Sequence, residues 1–355
     1  MTATTATTAP TAPTRLRAGP VIVAVASVAV AGVVGVAIGP VAINPLRTAA
    51  ELIDMIPGIH VDSGLSRTDA VIIRELRLPR VTLGLLVGGL LAMSGATFQG
   101  AFRNPLVDPY LLGVAAGAGL GATIAIVAGA GDAVGAFDPV PLAAFGGAIV
   151  AMLATLALGS GGGRYGSPAA LVLAGVAVTA FFTSLQTYVQ QRDSETLRQV
   201  YTWILGRLAT SGWGEVAILL PYAAVSIAVM FAFRGHLDVL AVGDDEAASL
   251  GLRPARVRTI VAVAASLGAA AAVAVSGLIG FVGLIVPHAV RLVFGVSNRV
   301  VVPLSLLFGG AFLVLTDLLA RTVESPAELP IGVVTAFFGA PFFLFILTSR
   351  SRQLT

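Results

Sequence analysis

Apolar residues in this chain run on for about 20 positions at a time, stop at a few polar residues, and resume. A helix of about 20 apolar residues crosses the hydrocarbon core of a bilayer, so each run predicts a spanning helix. Hydropathy places them at residues 20–43, 78–101, 106–129, 139–159, 167–189, 213–233, 257–279, 282–295, 299–321 and 329–349. The fold class this predicts is an all-α polytopic membrane protein of about ten transmembrane helices. One segment is anomalous. The stretch "GFVGLIVPHAVRLVFG", residues 280–295, is too short for a regular crossing and carries Pro287, His288 and Arg291 near its middle.

That stretch has a counterpart earlier in the chain. Residues 94–114, "SGATFQGAFRNPLVDPYLLGV", align without gaps on residues 276–296, "SGLIGFVGLIVPHAVRLVFGV". The identities pair Ser94 with Ser276, Gly95 with Gly277, Pro105 with Pro287, Gly113 with Gly295 and Val114 with Val296. Each copy follows a long span preceded by arginine, and an odd number of spans separates them, so the two run in opposite directions. That is the pattern of an inverted repeat with interrupted helices in corresponding places. It predicts helix breaks around Ser94, Gly95, Asn104 and Pro105, and again around Gly277, Gly280, Gly283 and Pro287. Small residues at packing spacing, Gly84–Gly88 and Gly113–Gly117–Gly121, predict close helix crossings.

Composition supports the membrane assignment. Hydrophobic residues make up 57% of the chain and charged ones 11%, with a mean hydropathy of +0.94. A net charge of +3 with scattered arginines gives no footprint for nucleic acid. There is no cysteine, which excludes disulfides and thiolate chemistry. All 21 basic residues are arginine, so a phosphate-binding loop of the form GxxxxGK[ST] cannot be built. If ATP drives this protein, another chain binds the ATP and Mg; no cofactor is expected in this one. The opening "MTATTATTAPTAPT" predicts a disordered tail over 1–19 ahead of a single membrane domain over 20–355. The run 20–43 is longer than a signal-peptide core and reads as an uncleaved first span.

With the N-terminus in the cytoplasm, twelve arginines fall inside and nine outside, a bias that improves once the long 44–77 loop is discounted. Most acids, including Asp132 and Asp138, then fall outside, which favours cytoplasmic termini. The longest inner polar stretch is "RGHLDVLAVGDDEAASLGLRPARVR", residues 234–258. Gly243 and Asp244 can cap a short helix there, with Asp245 and Glu246 near its positive end. Gly251 suits the left-handed position that stops it, and Pro254 starts the next helix. Two short helices are predicted, exposing Ala247, Ala248, Leu250 and Leu252 as a small apolar docking surface.

Four motifs together resemble one family. They are "RLPRVTLGLLVGGLLAMSGATFQGAFRNPLVDPYLLGVAAGAGLGA" (77–122), "GDDEAASLGL" (243–252), "SGLIGFVGLIVPHAVRL" (276–292) and "AELPIGVVTAFFGAPFFLFIL" (327–347). In this order they are similar to FecCD-type permeases, the membrane subunits of type II ABC importers for ferric siderophores, haem and vitamin B12. The resemblance runs from about residue 70 to the C-terminus. It implies the vitamin B12 permease-like fold in the bacterial plasma membrane, and a second permease subunit, usually making a homodimer. It also implies two cytoplasmic ATP-binding subunits and an extracytoplasmic substrate-binding protein. By the same resemblance the ATPases dock on Gly243, Asp244, Asp245, Glu246, Ala247, Leu250 and Gly251. Arg77, Arg80 and Arg321 match the outer arginines that meet the binding protein. The stretch "YTWILGRLATSGW" (201–213) resembles the outer gate, but Arg207 stands where a small residue is commoner.

Other functional classes find less support. An ion-coupled carrier needs ionisable groups at membrane depth, and the spans offer only Asp317, Arg291 and His288; Asp317 has Arg321 one turn away as a structural partner. An intramembrane enzyme finds no HExxH, GxSxG or paired carboxylates, and His60, His236 and His288 are dispersed. His288 reads as a polar neighbour that helps satisfy a carbonyl freed by Pro287, not as a haem ligand. Among substrates, ferric siderophore ranks first, then haem, then cobalamin.

Overall fold

The computed structural model describes residues 16–39, 43–130, 139–160, 168–192, 196–208 and 212–351. Most of the tail expected over 1–19, together with Asp132 and Asp138, lies outside the described residues. Fourteen α-helices follow one another among the described residues, and no strand occurs there. They are α1 (Ala18–Ala37), α2 (Pro45–Asp54), α3 (Arg67–Val71), α4 (Leu78–Phe102), α5 (Val114–Val127), α6 (Pro139–Ser160) and α7 (Pro168–Arg192). After these come α8 (Leu197–Ile204), α9 (Gly214–Leu240), α10 (Asp244–Ser249), α11 (Pro254–Ser276), α12 (Val282–Phe294), α13 (Asn298–Thr322) and α14 (Ile331–Ser351). Among the described residues seven helices are long and apolar enough to cross a membrane, and three shorter apolar ones correspond to α5, α12 and α14.

The centre of the molecule is α4. It is apolar on every side and almost wholly buried from Val87 to Phe102, as expected for a helix enclosed by other helices. Around it pack α13, α11, α12 and α9. A second group, α5, α6 and α7, packs on one flank, while α1 lies against α13. Small residues set these crossings. A Cβ at Gly88 would lie 2.3 Å from the Gly309 carbonyl oxygen, and one at Gly117 2.3 Å from that of Gly147. Both contacts bring backbones close enough for dispersion to hold helices together in lipid.

Several sequence expectations need correction. The inner loop is shorter than 234–258, because α9 continues to Leu240 and α11 begins at Pro254; only one short helix, α10, stands between them. The loop after α1 contains α2, which Asn44 caps by accepting from the backbone amide of Leu46 at 2.9 Å. The segment expected over 106–129 is a 3-10 turn, Pro109–Leu112, followed by the short α5. The helix breaks also shift. Ser94 and Gly95 lie inside α4, which ends only at Phe102, whereas α11 stops at Ser276. Gly283 and Pro287 lie within α12, and the actual break is the segment 277–281 containing Gly277 and Gly280. Asn104 and Pro105 do fall in a turn, where the Asn104 side chain accepts from the amide of Leu106 at 3.0 Å.

The inverted arrangement survives at the level of elements. A long helix, a break and a short helix occur twice, as α4, 103–113, α5 and as α11, 277–281, α12. The long members run antiparallel. At 14 and 13 residues the short members reach only about 20 Å, so each spans part of a bilayer.

Candidate functional site

Three polar clusters lie along α4, at its first turn, its middle and its last turn. At the first turn Arg80 chelates two carboxylates. It donates from Nε to Asp317 Oδ2 at 3.0 Å and from Nη2 to Oδ1 at 2.8 Å, and reaches Glu328 Oε1 from Nη1 at 2.8 Å. Asp317 also pairs with Arg321, one turn along α13, at 3.5 Å. Arg321 turns its Nη2 to the carbonyl of Gly35, and Arg77 donates to the carbonyls of Val36 at 2.9 Å and Ala37 at 2.8 Å. These carbonyls end α1, where cations are favoured by the helix dipole. The Arg80 hydrogen bond holds the Glu328 carboxyl below its ordinary range, against the opposing effect of burial.

This placement differs from a free docking patch. Arg77 and Arg321 are 6% and 3% exposed, with their donors aimed inward at α1. Arg80 keeps 15% side-chain exposure beside Glu328. The sequence showed the charges and the Asp317–Arg321 spacing; it gave no sign that α1 would end beneath two of the arginines.

At the middle of α4 the two breaks meet. Ser94 donates to the Ala265 carbonyl of α11 at 2.9 Å, and a Cβ at Gly95 would lie 2.0 Å from the Gly283 carbonyl oxygen. The other side of Gly283 abuts the ring of Pro109. The Tyr110 hydroxyl donates to the Ile279 carbonyl at 2.9 Å and accepts from the Ile279 amide at 3.3 Å. The turn before α5 therefore supplies the backbone partners that the break before α12 lacks. Irregular backbone at membrane depth is tolerated only when buried in protein and satisfied in this way.

Pro287 has no amide for the carbonyl of Gly283, one turn earlier. Gln99 of α4 fills the gap, donating from Nε2 to that oxygen at 3.0 Å, while its Oε1 accepts from Arg291. Gln99 therefore satisfies the Gly283 carbonyl, and the His288 ring lies edge-on to Phe342 at 6.0 Å between centroids. A lone glutamine in "GATFQGAF" was the available signal, since a buried amide in an apolar helix demands partners.

At the last turn of α4 sits the knob built on α10. Its cap is Gly243, at φ +135, and the Glu246 carboxylate occupies the space a side chain at 243 would take. Asp244 is the first helical residue rather than the cap. It receives Arg258 Nη2 at 3.0 Å and pairs with Arg103 at 3.3 Å. Arg258, buried at 4% exposure, also donates from Nε to the Ala101 carbonyl at 3.0 Å, so it ties α10, α11 and the end of α4 into one joint. Gly251 ends the helix at φ +84, and the amide of Leu252 reaches back to the Ala247 carbonyl at 3.0 Å. Ala247 is fully buried, while Val242, at 61%, and Leu250, at 70%, project outward beside exposed Asp245 and Glu246. The exposed apolar face is therefore Val242, Ala248 and Leu250. Arg258 and Arg103 were not singled out from sequence, because nothing local shows that they share Asp244.

Comparison with known proteins places this architecture. A family model described as the FecCD transport family matches residues 24–349. The chain is 42% identical over 287 residues to the cobalamin import system permease protein BtuC of Halobacterium salinarum, covering 81% of this chain and 76% of that one. It is 39% identical over 290 residues to the Fe(3+)-citrate import system permease protein YfmD of Bacillus subtilis, covering 81% and 84%. Among solved structures, an inward-facing conformation of a metal-chelate type ABC transporter matches with a TM-score of 0.81 and 27% identity. That match covers 94% of this chain and the whole of the other.

Proposed function

Because the chain belongs to the FecCD transport family, we propose that it is the permease subunit of an ATP-binding-cassette importer for a metal chelate or cobalamin. The relatives' named substrates include cobalamin and ferric citrate. Within that range a ferric siderophore is the first expectation, followed by haem and cobalamin. The chain performs no chemistry. It forms half of a pathway completed by a second permease subunit, most simply a second copy. Two cytoplasmic ATPase subunits bind ATP and Mg, and an extracytoplasmic binding protein delivers substrate. The protein resides in the bacterial plasma membrane with both termini cytoplasmic.

The observation that carries this reading is the inner knob. A six-residue helix fixed by Asp244 to Arg103 and Arg258, with Leu250 turned outward, has the form of a rigid lever that another protein grips. Closure of the ATPases draws two such knobs together. The joint at Arg258 passes that movement to α4 and α11, and so to the breaks before α5 and α12. On the opposite side Arg80, the most exposed of the three outer arginines, is the one placed to meet a binding protein.

An ion-coupled carrier would need a carboxylate free to take a proton at depth. Asp317 is instead held by ion pairs to both Arg80 and Arg321. Reconstitution in vesicles with the ATPase and binding protein tests the proposal. Uptake of the chelate should require ATP and stop when the ATPase is omitted; uptake that continued without it, or followed a proton gradient alone, would overturn the reading.

A further inference from the structure

On the outer side a cavity of about 280 Å³ opens between α8 and the neighbouring ends of α5, α6, α9 and α11. One wall is apolar, from α5 and α6; the other carries Arg198, Arg207, Glu215 and Trp203, with Ser276 and Gly277 forming the floor. Arg198 and Arg207 are both exposed. Elsewhere Arg80, Arg103, Arg258 and Arg321 are each paired with a carboxylate. In this cavity two guanidiniums face one carboxylate, and among the described residues no ion pair neutralises either of them.

We propose that this cavity binds the carboxylates of an anionic metal chelate and sets a preference for negatively charged substrates. The inference deepens the transport reading and rests on it for the direction of travel. Two guanidiniums around one small cavity repel each other, and an incoming carboxylate removes that repulsion while accepting bidentate hydrogen bonds. Trp203, 8% exposed, adds a flat apolar surface for the chelate's organic part. The volume suits one arm of a chelate rather than a whole siderophore, so the remainder stays in the open mouth.

The floor gives the site a mechanical connection. The Arg207 amide donates to the Ser276 carbonyl at 2.8 Å, and a Cβ at Gly277 would lie 2.1 Å from the Trp203 carbonyl oxygen. An occupant held by Arg207 therefore rests on the break that precedes α12.

The purified full chain in nanodiscs tests this without the ATPase. Trp203, one of its two tryptophans, lines the cavity and reports occupancy by its emission. Gallium citrate, an anion, should bind about tenfold more tightly than a neutral gallium trihydroxamate, and the preference should fall with added salt. Arg207→Ser should weaken gallium citrate by about tenfold and leave the neutral complex within about twofold, while Arg207→Lys keeps much of the preference. Equal affinity for the two complexes, an equal loss of both in Arg207→Ser, or no binding of either would overturn the proposal. Binding that disappears when phosphatidylcholine is replaced by phosphatidylglycerol would assign the cavity to a lipid headgroup instead. If charge-selective binding holds while ATP-driven uptake fails, the transport reading falls and the site stands.

Discussion

Gln99 shows how much a single side chain can carry at membrane depth. It repairs the carbonyl that Pro287 leaves open and accepts from Arg291, an otherwise uncompensated cation in α12. Replacing it by leucine removes both services while keeping the volume apolar. Gln99→Leu should destabilise the protein by about 1–3 kcal/mol, the penalty for orphaning buried polar groups. Adding Arg291→Met should recover part of that loss, because the second change removes the group left unpaired; additive losses would show that the two do not interact. Melting followed by tryptophan emission is the suitable assay, since the chain has no cysteine for thiol dyes. A second residue-level test concerns Glu328, whose carboxyl Arg80 holds below the ordinary value of 4.5. A lowered folded-state value stabilises above the unfolded pKa, and that contribution is lost as pH falls through the folded one. The stability difference between wild type and Glu328→Gln should therefore be present at neutral pH and vanish in acid; a difference that grew on acidification would contradict the assignment.

At the scale of elements, the glycine crossings are the sharpest test. Gly95 meets the Gly283 backbone so closely that any side chain must separate α4 from α12. Gly95→Val should cost about 1–3 kcal/mol or more through overpacking. Gly32 of α1 has nothing within 4 Å of its absent Cβ, so Gly32→Ala should be neutral or stabilising by up to about 1 kcal/mol. Similar melting temperatures for the two variants would refute the packing account. The same contrast explains what could be read in advance. Helices α4, α6, α7 and α13 were legible within a few residues, because long apolar runs end where polar residues begin. Amphipathic α2 and α8 were not, since "PLRTAAELID" and "LRQVYTWI" lack the sustained hydropathy that marks a span. Pro287 was legible as a backbone defect, but its repair by Gln99 depends on a helix nearly two hundred residues away. The knob was legible in its glycine end and in Ala248 and Leu250 of its apolar face, whereas Ala247 is buried and Val242 joins that face; its anchoring was not legible, because Arg103 is distant in sequence from the Asp244–Arg258 pair.

Across the whole molecule, α4 touches the Arg80 ion cluster, the meeting point of the breaks and the Arg258 joint. A pull on α10 thus has a continuous path through Arg258 and the Ala101 carbonyl into the core. Gripping the knob and transmitting its movement are separable in this geometry. Leu250 is exposed and supports nothing inside, so Leu250→Asp should leave the melting temperature unchanged. It should nonetheless abolish co-purification with the ATPase and ATP-driven uptake, because it buries a charge in the proposed contact. Asp244→Asn acts at the joint: its amide keeps the volume but gives up the charge shared by Arg103 and Arg258. In that variant the ATPase should still bind and hydrolyse ATP within about twofold of wild type, while substrate taken up per ATP falls by about tenfold, equivalent to about 1.4 kcal/mol of lost coupling. The ratio of uptake to hydrolysis in vesicles is the deciding measurement. If Leu250→Asp left that ratio and the co-purification intact, the knob would not be the grip. If Asp244→Asn lowered uptake and hydrolysis together, the joint would serve docking rather than transmission.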